Sequence, residues 1–457
     1  MANQQYFNAM WPSDQSGTGA WRFLWQNASI EALGDKTGIF NSVVTKPILD
    51  QNWYQGLNSF MVQRLISPQQ RRLFEGVVVP CSKMYSFWTI YNLDDAPHYK
   101  DICPYNRGRW AYAKDDIQEN IRSMMNSADF ILTTTDYLKG YFHRTYGVPE
   151  DNIIIIPNYL PRWWIGGKYD KEKSVENFRR SKGKGGKLRI GMVSSLSHYN
   201  VDKIRQDPET KDVIKKIEEI DKATGEKKEI WKNPIDKVVT DISKYVEVKD
   251  DLDVIIEAIE KTVDTVQWVF FGYAPPKLEK YIKEGKIECH GGVSIYNYPE
   301  KFASLNLHAV VAPLQDNEFN RCKSNIKWLE CAALGIPLLA QNINTYSNYM
   351  PAKQLFNDAN DLLKQIEWLQ KMSASVYGDI IEYQWKWLNS PHNEGGWNSP
   401  NWWLESNYGP WIKLWQMRHK SSELSLAKYI EVKKQQEQEA KENTVLSKNN
   451  GELLITK

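Results

Sequence analysis

Short apolar runs alternate with amphipathic stretches along most of the chain, the pattern of parallel strands joined by helical crossovers. GVVVP (Gly76–Pro80), DFILTTT (Asp129–Thr135) and NIIIIPN (Asn152–Asn158) predict buried strands followed by polar turns. DDIQENIRSMMNSA (Asp115–Ala128) predicts a helix with acidic residues at its positive end. Residues 1–178 are therefore expected to form a first doubly wound domain. The basic, glycine-rich run RRSKGKGGKLR then predicts a surface linker over 179–187.

A second α/β domain is predicted over 188–395. LRIGMVSS (Leu188–Ser195) opens it, and a highly charged insertion over about 202–246 follows, with DKATGEKKEI as a hairpin tip. An amphipathic helix (DLDVIIEAIEK), the strands TVQWVFFGY (Thr265–Tyr273) and IECHGGV, the helix of YPEKFASLN and the strand HAVVAPL (His308–Leu314) come next. A further helix leads into the strand PLLAQ (Pro337–Gln341). Residues 396–425 are expected to be helices crossing back to the first domain. The Lys-, Glu- and Gln-rich stretch 426–457 is expected to be a charged, partly disordered tail.

Composition narrows the classes. The 457 residues are 42% hydrophobic and 25% charged with a net charge of +2, so nothing global draws the chain to nucleic acid. Five cysteines lack framework or zinc spacing and read as reduced thiols, and no metal site is expected. MANQQYFNAMWPSD has neither the basic nor the apolar region of a signal peptide. No run approaches the roughly 18 apolar residues of a membrane helix. The expectation is a cytoplasmic protein without membrane insertion. Nineteen tryptophans, several clustered (Trp163, Trp164, Trp402, Trp403), leave two readings open: core packing, or stacking surfaces for sugars or bases.

The chemistry concentrates in EFNRCKSNIKWLECAALGIP (Glu318–Pro337). With Ser324 or Asn325 at a helix start, Lys323, Lys327 and Glu330 fall at spacings of four and three along one face, while Ile326, Leu329 and Ala333 suit packing on a sheet. A helix N-terminus beyond a strand end suits a phosphate, the lysines add positive charge, and a glutamate deeper in the helix suits the hydroxyls of a ribose. A plain Lys327–Glu330 ion pair is the alternative.

The pattern carried by Phe319, Asn320, Lys323, Ser324, Lys327, Glu330, Gly335 and Pro337 resembles the donor-site signature of the GT-B glycosyltransferases. SADFILTTTDYLKGYF with IIIIPNYLP, RIGMVSSLSHYN with Ser195 and His198, and FFGY with YPEKFASLNLHAVVAPL match the same group in the same order, over roughly Asp94 to Asn342. The resemblance implies two doubly wound domains facing a cleft, the first on the acceptor side. It implies no bound cofactor and a nucleotide-sugar donor, with a uridine diphosphate sugar expected. Donor-binding residues are expected to be Gly17, Gly19, Arg22, Ser195, Gly272, Asn320, Lys323, Ser324, Lys327 and Glu330. Many retaining members place a further glutamate eight positions before the ribose-binding one, and here that position is Cys322. Glu318 can stand in for it only if the loop reaches back.

On the acceptor side, G-T-G at Gly17–Gly19 is either a tight turn or a phosphate-approaching loop with Arg22 beside it. Asp94 and Asp95 follow an apolar strand and are either a capped, solvated turn or cleft-facing carboxylates that orient the acceptor hydroxyl. His98 and His198 are the other proton-handling candidates, and Arg189 and Lys249 further partners for the diphosphate. The expected catalytic residues are Asp94, Asp95 and His198. The expected reaction is a retaining, metal-independent sugar transfer. Relatives in tailed phages glycosylate hydroxymethylated bases, and the basic run and insertion lysines offer a track for DNA, so hydroxymethylcytosine in phage DNA is the expected acceptor. Surface or lipid-linked glycan is the alternative acceptor; a non-catalytic binding protein or a nucleotide-sugar epimerase is the alternative function.

Overall fold

The computed structural model describes residues 5–417 apart from 15–16, 32, 34–35, 166–168, 184, 221–224, 236, 394–395 and 397. The expected tail over 426–457 lies outside the described residues.

Six strands form the first sheet: β1 (Tyr6–Trp11), β2 (Ile39–Val43), β3 (Leu57–Gln63), β4 (Trp88–Asn92), β5 (Phe130–Thr133) and β6 (Ile153–Ile155), in the order β2-β1-β3-β4-β5-β6. Next along the chain come β7 (Leu188–Ser194), then β8 (Arg205–Gln206), β9 (Val213–Ile220), β10 (Lys227–Lys232) and β11 (Val246–Glu247) of the charged insertion. β12 (Val266–Gly272), β13 (Ile287–Gly291), β14 (Ala309–Ala312), β15 (Leu338–Gln341) and β16 (Leu355–Phe356) complete the second large sheet with β7, in the order β13-β12-β7-β14-β15-β16. Every pairing in the two large sheets is parallel. The α/β architecture of two doubly wound sheets implied by the resemblance is therefore present.

Both strand orders reverse direction once, between β1 and β3 in the first sheet and between β7 and β14 in the second. At such a point neighbouring crossovers leave to opposite faces and open a crevice at the carboxyl ends of the strands. The first sheet buries one face in a cluster with Phe60, Phe74 and Tyr141, and the second buries one with Trp268, Phe270 and Ile259. A third cluster is shared, running from Met10, Met61 and Leu132 to Val310, Trp328 and Leu338.

The segment after 401 closes that seam. Leu160 donates its N–H to the Trp402 carbonyl and accepts from Leu404 N–H, and the Arg22 guanidinium lies over the Trp411 ring at 5.3 Å. Trp164, Trp402 and Trp403 are buried, which assigns them to packing, and Trp163 remains 45% exposed.

One predicted strand is absent. Gly76–Val78 belong to a π-helical turn, Phe74–Val78, and Val79–Pro80 open the helix Val79–Tyr85. The buried residues Phe74, Val78 and Cys81 recur at spacings of four and three, so the helical period outweighs the local β-branched run. The start of the expected linker also differs, because Arg179–Ser181 form the last turn of the helix Lys171–Ser181.

Candidate functional site

The quoted motif folds as two short helices rather than one. Glu318–Arg321 is capped by the Asn317 side chain, and Ile326–Leu334 follows with Asn325 at its N-cap and Gly335 at its end. Phe319 and Cys322 are buried in the apolar cluster of the first domain, which anchors the first helix across the cleft.

A cavity of about 260 Å³ lies at the carboxyl ends of β7 and β14, at the second sheet's reversal point. Ser194, His198, Lys323, Ser324, Ile326 and Lys327 line it from the second domain, and Thr18, Asp94, Asp95 and Asn158 from the first. A neighbouring cavity of about 270 Å³ sits at the first sheet's reversal point and includes Arg64, Asn106, Tyr112 and Phe319. Thr18, Asp95 and Lys323 border both cavities.

The two lysines differ in setting. Lys323 lies in the turn before the second helix, with its ammonium over the Phe319 ring at 4.9 Å. Lys327 donates to Glu330 Oε2 at 2.6 Å and to the Tyr298 hydroxyl at 2.9 Å. Glu330 is 3% exposed and also accepts from the Tyr298 hydroxyl at 3.0 Å. It does not line the cavity. The ion pair weighed against ribose binding thus exists, between a half-buried Lys327 and a buried Glu330; a ribose would reach Glu330 only after Lys327 or Tyr298 turned aside.

Across the cavity, Arg64 Nη1 stands 3.6 Å from Asp94 Oδ1 and 3.5 Å from Asp95 Oδ2, and donates to Thr18 Oγ1 at 3.1 Å. Burial pushes the Asp94 carboxyl above the usual carboxylate range, opposed by the Arg64 charge. The two aspartates therefore face the cleft as a charge-paired unit. His198 Nδ1 lies 2.7 Å from Asp251 Oδ2. Asp251 was missed in the sequence, where DD at 250–251 read only as the start of a helix.

Several expected donor residues sit elsewhere. Arg22 is 1% exposed, and its guanidinium donates to the Ile156 carbonyl at 2.8 Å and to Asn158 Oδ1 at 3.1 Å, so it organises the core instead of meeting phosphate. Asn158 in turn donates to Ser324 Oγ at 2.8 Å, crossing the cleft. Asn320 is buried, donates to the Gln315 carbonyl and to Asp251 Oδ1, and does not line the cavity. Ser195 is exposed and bonds Ser197; Ser194, one residue earlier, lines the cavity.

Neither Gly17 nor Gly19 lines the cavity, whereas Thr18 between them does. Gly19 is needed for the turn, since a Cβ would lie 1.9 Å from the Asp14 carbonyl oxygen. Gly272 has φ +108°, and a Cβ there would meet the Ser194 carbonyl oxygen at 2.3 Å, so it serves the close approach of β12 to β7. His98 Nδ1 faces Asp101 at 3.4 Å, Arg189 pairs with Glu288, and Glu318 pairs with Tyr137 and Arg144, all outside the cavity lining.

Part of each basic track is paired with acids. Arg179 and Arg180 pair with Glu176, and Lys182 caps the carbonyls of Leu369 and Gln370. In the insertion, Lys216, Lys227 and Lys232 pair with Glu229, Glu218 and Glu219. Among the described residues no helix is long and apolar enough to cross a membrane, and no group of three His, Cys, Asp or Glu is placed to hold a metal ion.

No family model and no curated protein matches the chain. Solved structures do resemble it in shape. A glycosyltransferase from Rickettsia africae ESF-5 is 13% identical, covering 84% of this chain and 94% of that one, with a TM-score of 0.47. Anabaena HepE in complex with UDP is 12% identical, covering 84% and 95%, with a TM-score of 0.48. WaaG, a glycosyltransferase involved in lipopolysaccharide biosynthesis, is 11% identical, covering 83% and 95%, with a TM-score of 0.47.

Proposed function

We propose that the chain is a GT-B glycosyltransferase that moves a sugar from a nucleotide-sugar, with a uridine diphosphate sugar as the expected donor, to a hydroxyl acceptor. The observation that carries this reading is the placement of Lys323 and Lys327 beside the N-terminus of the helix Ile326–Leu334, facing Asp94, Asp95 and His198 across one cavity. Two cations and free helix amides suit a diphosphate leaving group, and the opposing groups suit a hydroxyl nucleophile.

Transfer proceeds with retention and without a metal ion. The acceptor oxygen bonds to the anomeric carbon on the face from which the diphosphate oxygen departs, and the hydroxyl proton passes to that departing oxygen. Lys323 and Lys327 stabilise the charge that develops there. On donor entry Lys327 turns from Glu330 to the diphosphate, which frees Glu330 for the ribose hydroxyls. The two domains are the acceptor side and the donor side of this reaction.

For the acceptor, hydroxymethylcytosine in DNA is the first candidate and a glycan hydroxyl the second, because exposed pairs such as Arg179–Glu176 and Lys227–Glu218 are weak enough to yield to phosphates. The test offers a panel of nucleotide sugars with hydroxymethylated DNA, plain DNA or glycan acceptors, and reads products by mass spectrometry. A hexose- or pentose-sized gain on one acceptor is expected. A donor converted to its epimer with no acceptor present identifies an epimerase, and tight donor binding without turnover identifies a binding protein.

A further inference from the structure

Asp251 is 1% exposed, yet its carboxylate receives donors from four directions. Oδ2 faces His198 Nδ1 at 2.7 Å. Oδ1 accepts from the Gln315 backbone N–H at 2.6 Å, from Asn320 Nδ2 at 3.2 Å and from the Tyr105 hydroxyl at 2.6 Å. His198 ends the short turn Leu196–His198, Gln315 follows β14, and Asn320 lies in the helix Glu318–Arg321, all in the second domain. Tyr105 comes from the other side of the cleft, from the loop between β4 and the helix Arg107–Tyr112, and is itself 2% exposed.

A carboxylate gripped by donors can only accept, so the proton of a neutral His198 ring sits on Nδ1. Nε2 is then the nitrogen with a free lone pair, on a ring that lines the cavity. The carboxylate that fixes this tautomer is held from both domains at once. Opening the cleft removes the Tyr105 hydroxyl and leaves a buried carboxylate oxygen with fewer donors, which costs free energy and loosens the carboxylate.

We propose that Asp251 is a positioning residue that fixes His198 with Nε2 turned to the cavity, and that Tyr105 ties this orientation to closure of the two domains. Under the transferase reading, on which this inference rests, Nε2 accepts a hydrogen bond from the acceptor hydroxyl as it docks, and the hydroxyl turns that proton to the departing diphosphate oxygen only as the new bond forms. The active arrangement is thereby complete only when the domains are closed, which limits futile hydrolysis of the donor.

The test has a spectroscopic arm and a kinetic arm. Nitrogen-15 NMR of imidazole-labelled protein at neutral pH, with His198→Gln to assign the signal, reads which ring nitrogen carries the proton. The expected result is the Nδ1–H tautomer in the wild type and a mixture in Asp251→Ala. A wild-type ring protonated on Nε2 overturns the inference and leaves the transferase reading intact.

Should Asp251→Ala not fold, Tyr105→Phe carries the kinetic test, because it removes one hydroxyl. It is expected to lower kcat about tenfold with donor affinity within about twofold and with more donor hydrolysed per transfer. Unchanged kcat and unchanged hydrolysis overturn the role of Tyr105. If no donor is turned over by the wild type, the transferase reading fails while the tautomer result still decides the positioning of His198.

Discussion

The segment from Glu318 to Glu330 divides at Cys322, and its two halves answer to different domains. The first half packs away from the cavity at the ends of β7 and β14: Phe319 and Cys322 enter the first domain's core, Asn320 holds Asp251, and Glu318 reaches Tyr137 and Arg144. The second half opens on the cavity through Lys323, Ser324 and Lys327. Adjacent residues of one motif thus do unlike work, the first half clamping the domains and the second presenting charge to a ligand. The break comes from the turn between the helices Glu318–Arg321 and Ile326–Leu334, which aims the two halves in different directions.

The division predicts its largest effect at Cys322. This side chain is 0% exposed among apolar neighbours, so Cys322→Glu would bury a charge without a partner. A loss of about 3–5 kcal/mol is expected, read as a large fall in Tm by calorimetry. An unchanged Tm would mean that the first half is not packed on the first domain, and the comparison would collapse.

Lys323 should behave in the opposite manner. Lys323→Ala is expected to lower kcat/KM about 10²-fold, the scale of losing one charge-stabilising group in a transition state. Its stability cost should stay near the ~0.5–1 kcal/mol of its contact with the Phe319 ring. Steady-state kinetics and a melt on the same sample separate the two. Loss of stability with intact turnover would move Lys323 into the clamping half.

The strength of the hydrophobic pattern explains what could be read in advance. Parallel strands buried on both faces leave continuous apolar runs, so β5, β6, β7, β12, β14 and β15 were legible from their residues alone. Val77–Val79 deceived because a short β-branched run fits a strand or one face of a helix, and only the burial of Phe74, Val78 and Cys81 decides. At the site, Lys323, ahead of the helix Ile326–Leu334, and Lys327, in its first turn, were legible from their spacing beyond a strand end. Asp251, Tyr105 and Arg64 were not, since each acts through a partner far away in the chain. Arg22 misled for the complementary reason: a guanidinium near a glycine turn looks open to phosphate until Ile156 and Asn158 are folded against it.

Glu330 tests the second half at smaller amplitude. Glu330→Gln keeps the side chain's size and an acceptor oxygen but removes the charge that binds Lys327. Donor affinity measured by titration calorimetry is expected to fall about tenfold, or ~1.4 kcal/mol. Affinity that holds steady while Tm drops would reduce Glu330 to a buried partner of Lys327 and Tyr298.

The smallest effect is expected at Glu318, where the comparison can be sharpened most cheaply. Its carboxylate is 33% exposed and bonds the Tyr137 hydroxyl at 2.7 Å and Arg144 at 3.1 Å, on the flank of the first domain. Solvent screens such a pair, so Glu318→Ala should cost less than about 1 kcal/mol and leave kcat within about twofold. Salt should reduce even that cost, because Arg144 is 56% exposed. A fall in kcat approaching that of Lys323→Ala, with Tm unmoved, would show that the short helix turns back on donor binding and delivers Glu318 to the sugar. The clamping half would then contribute to catalysis after all, and the boundary at Cys322 would not separate clamping from chemistry.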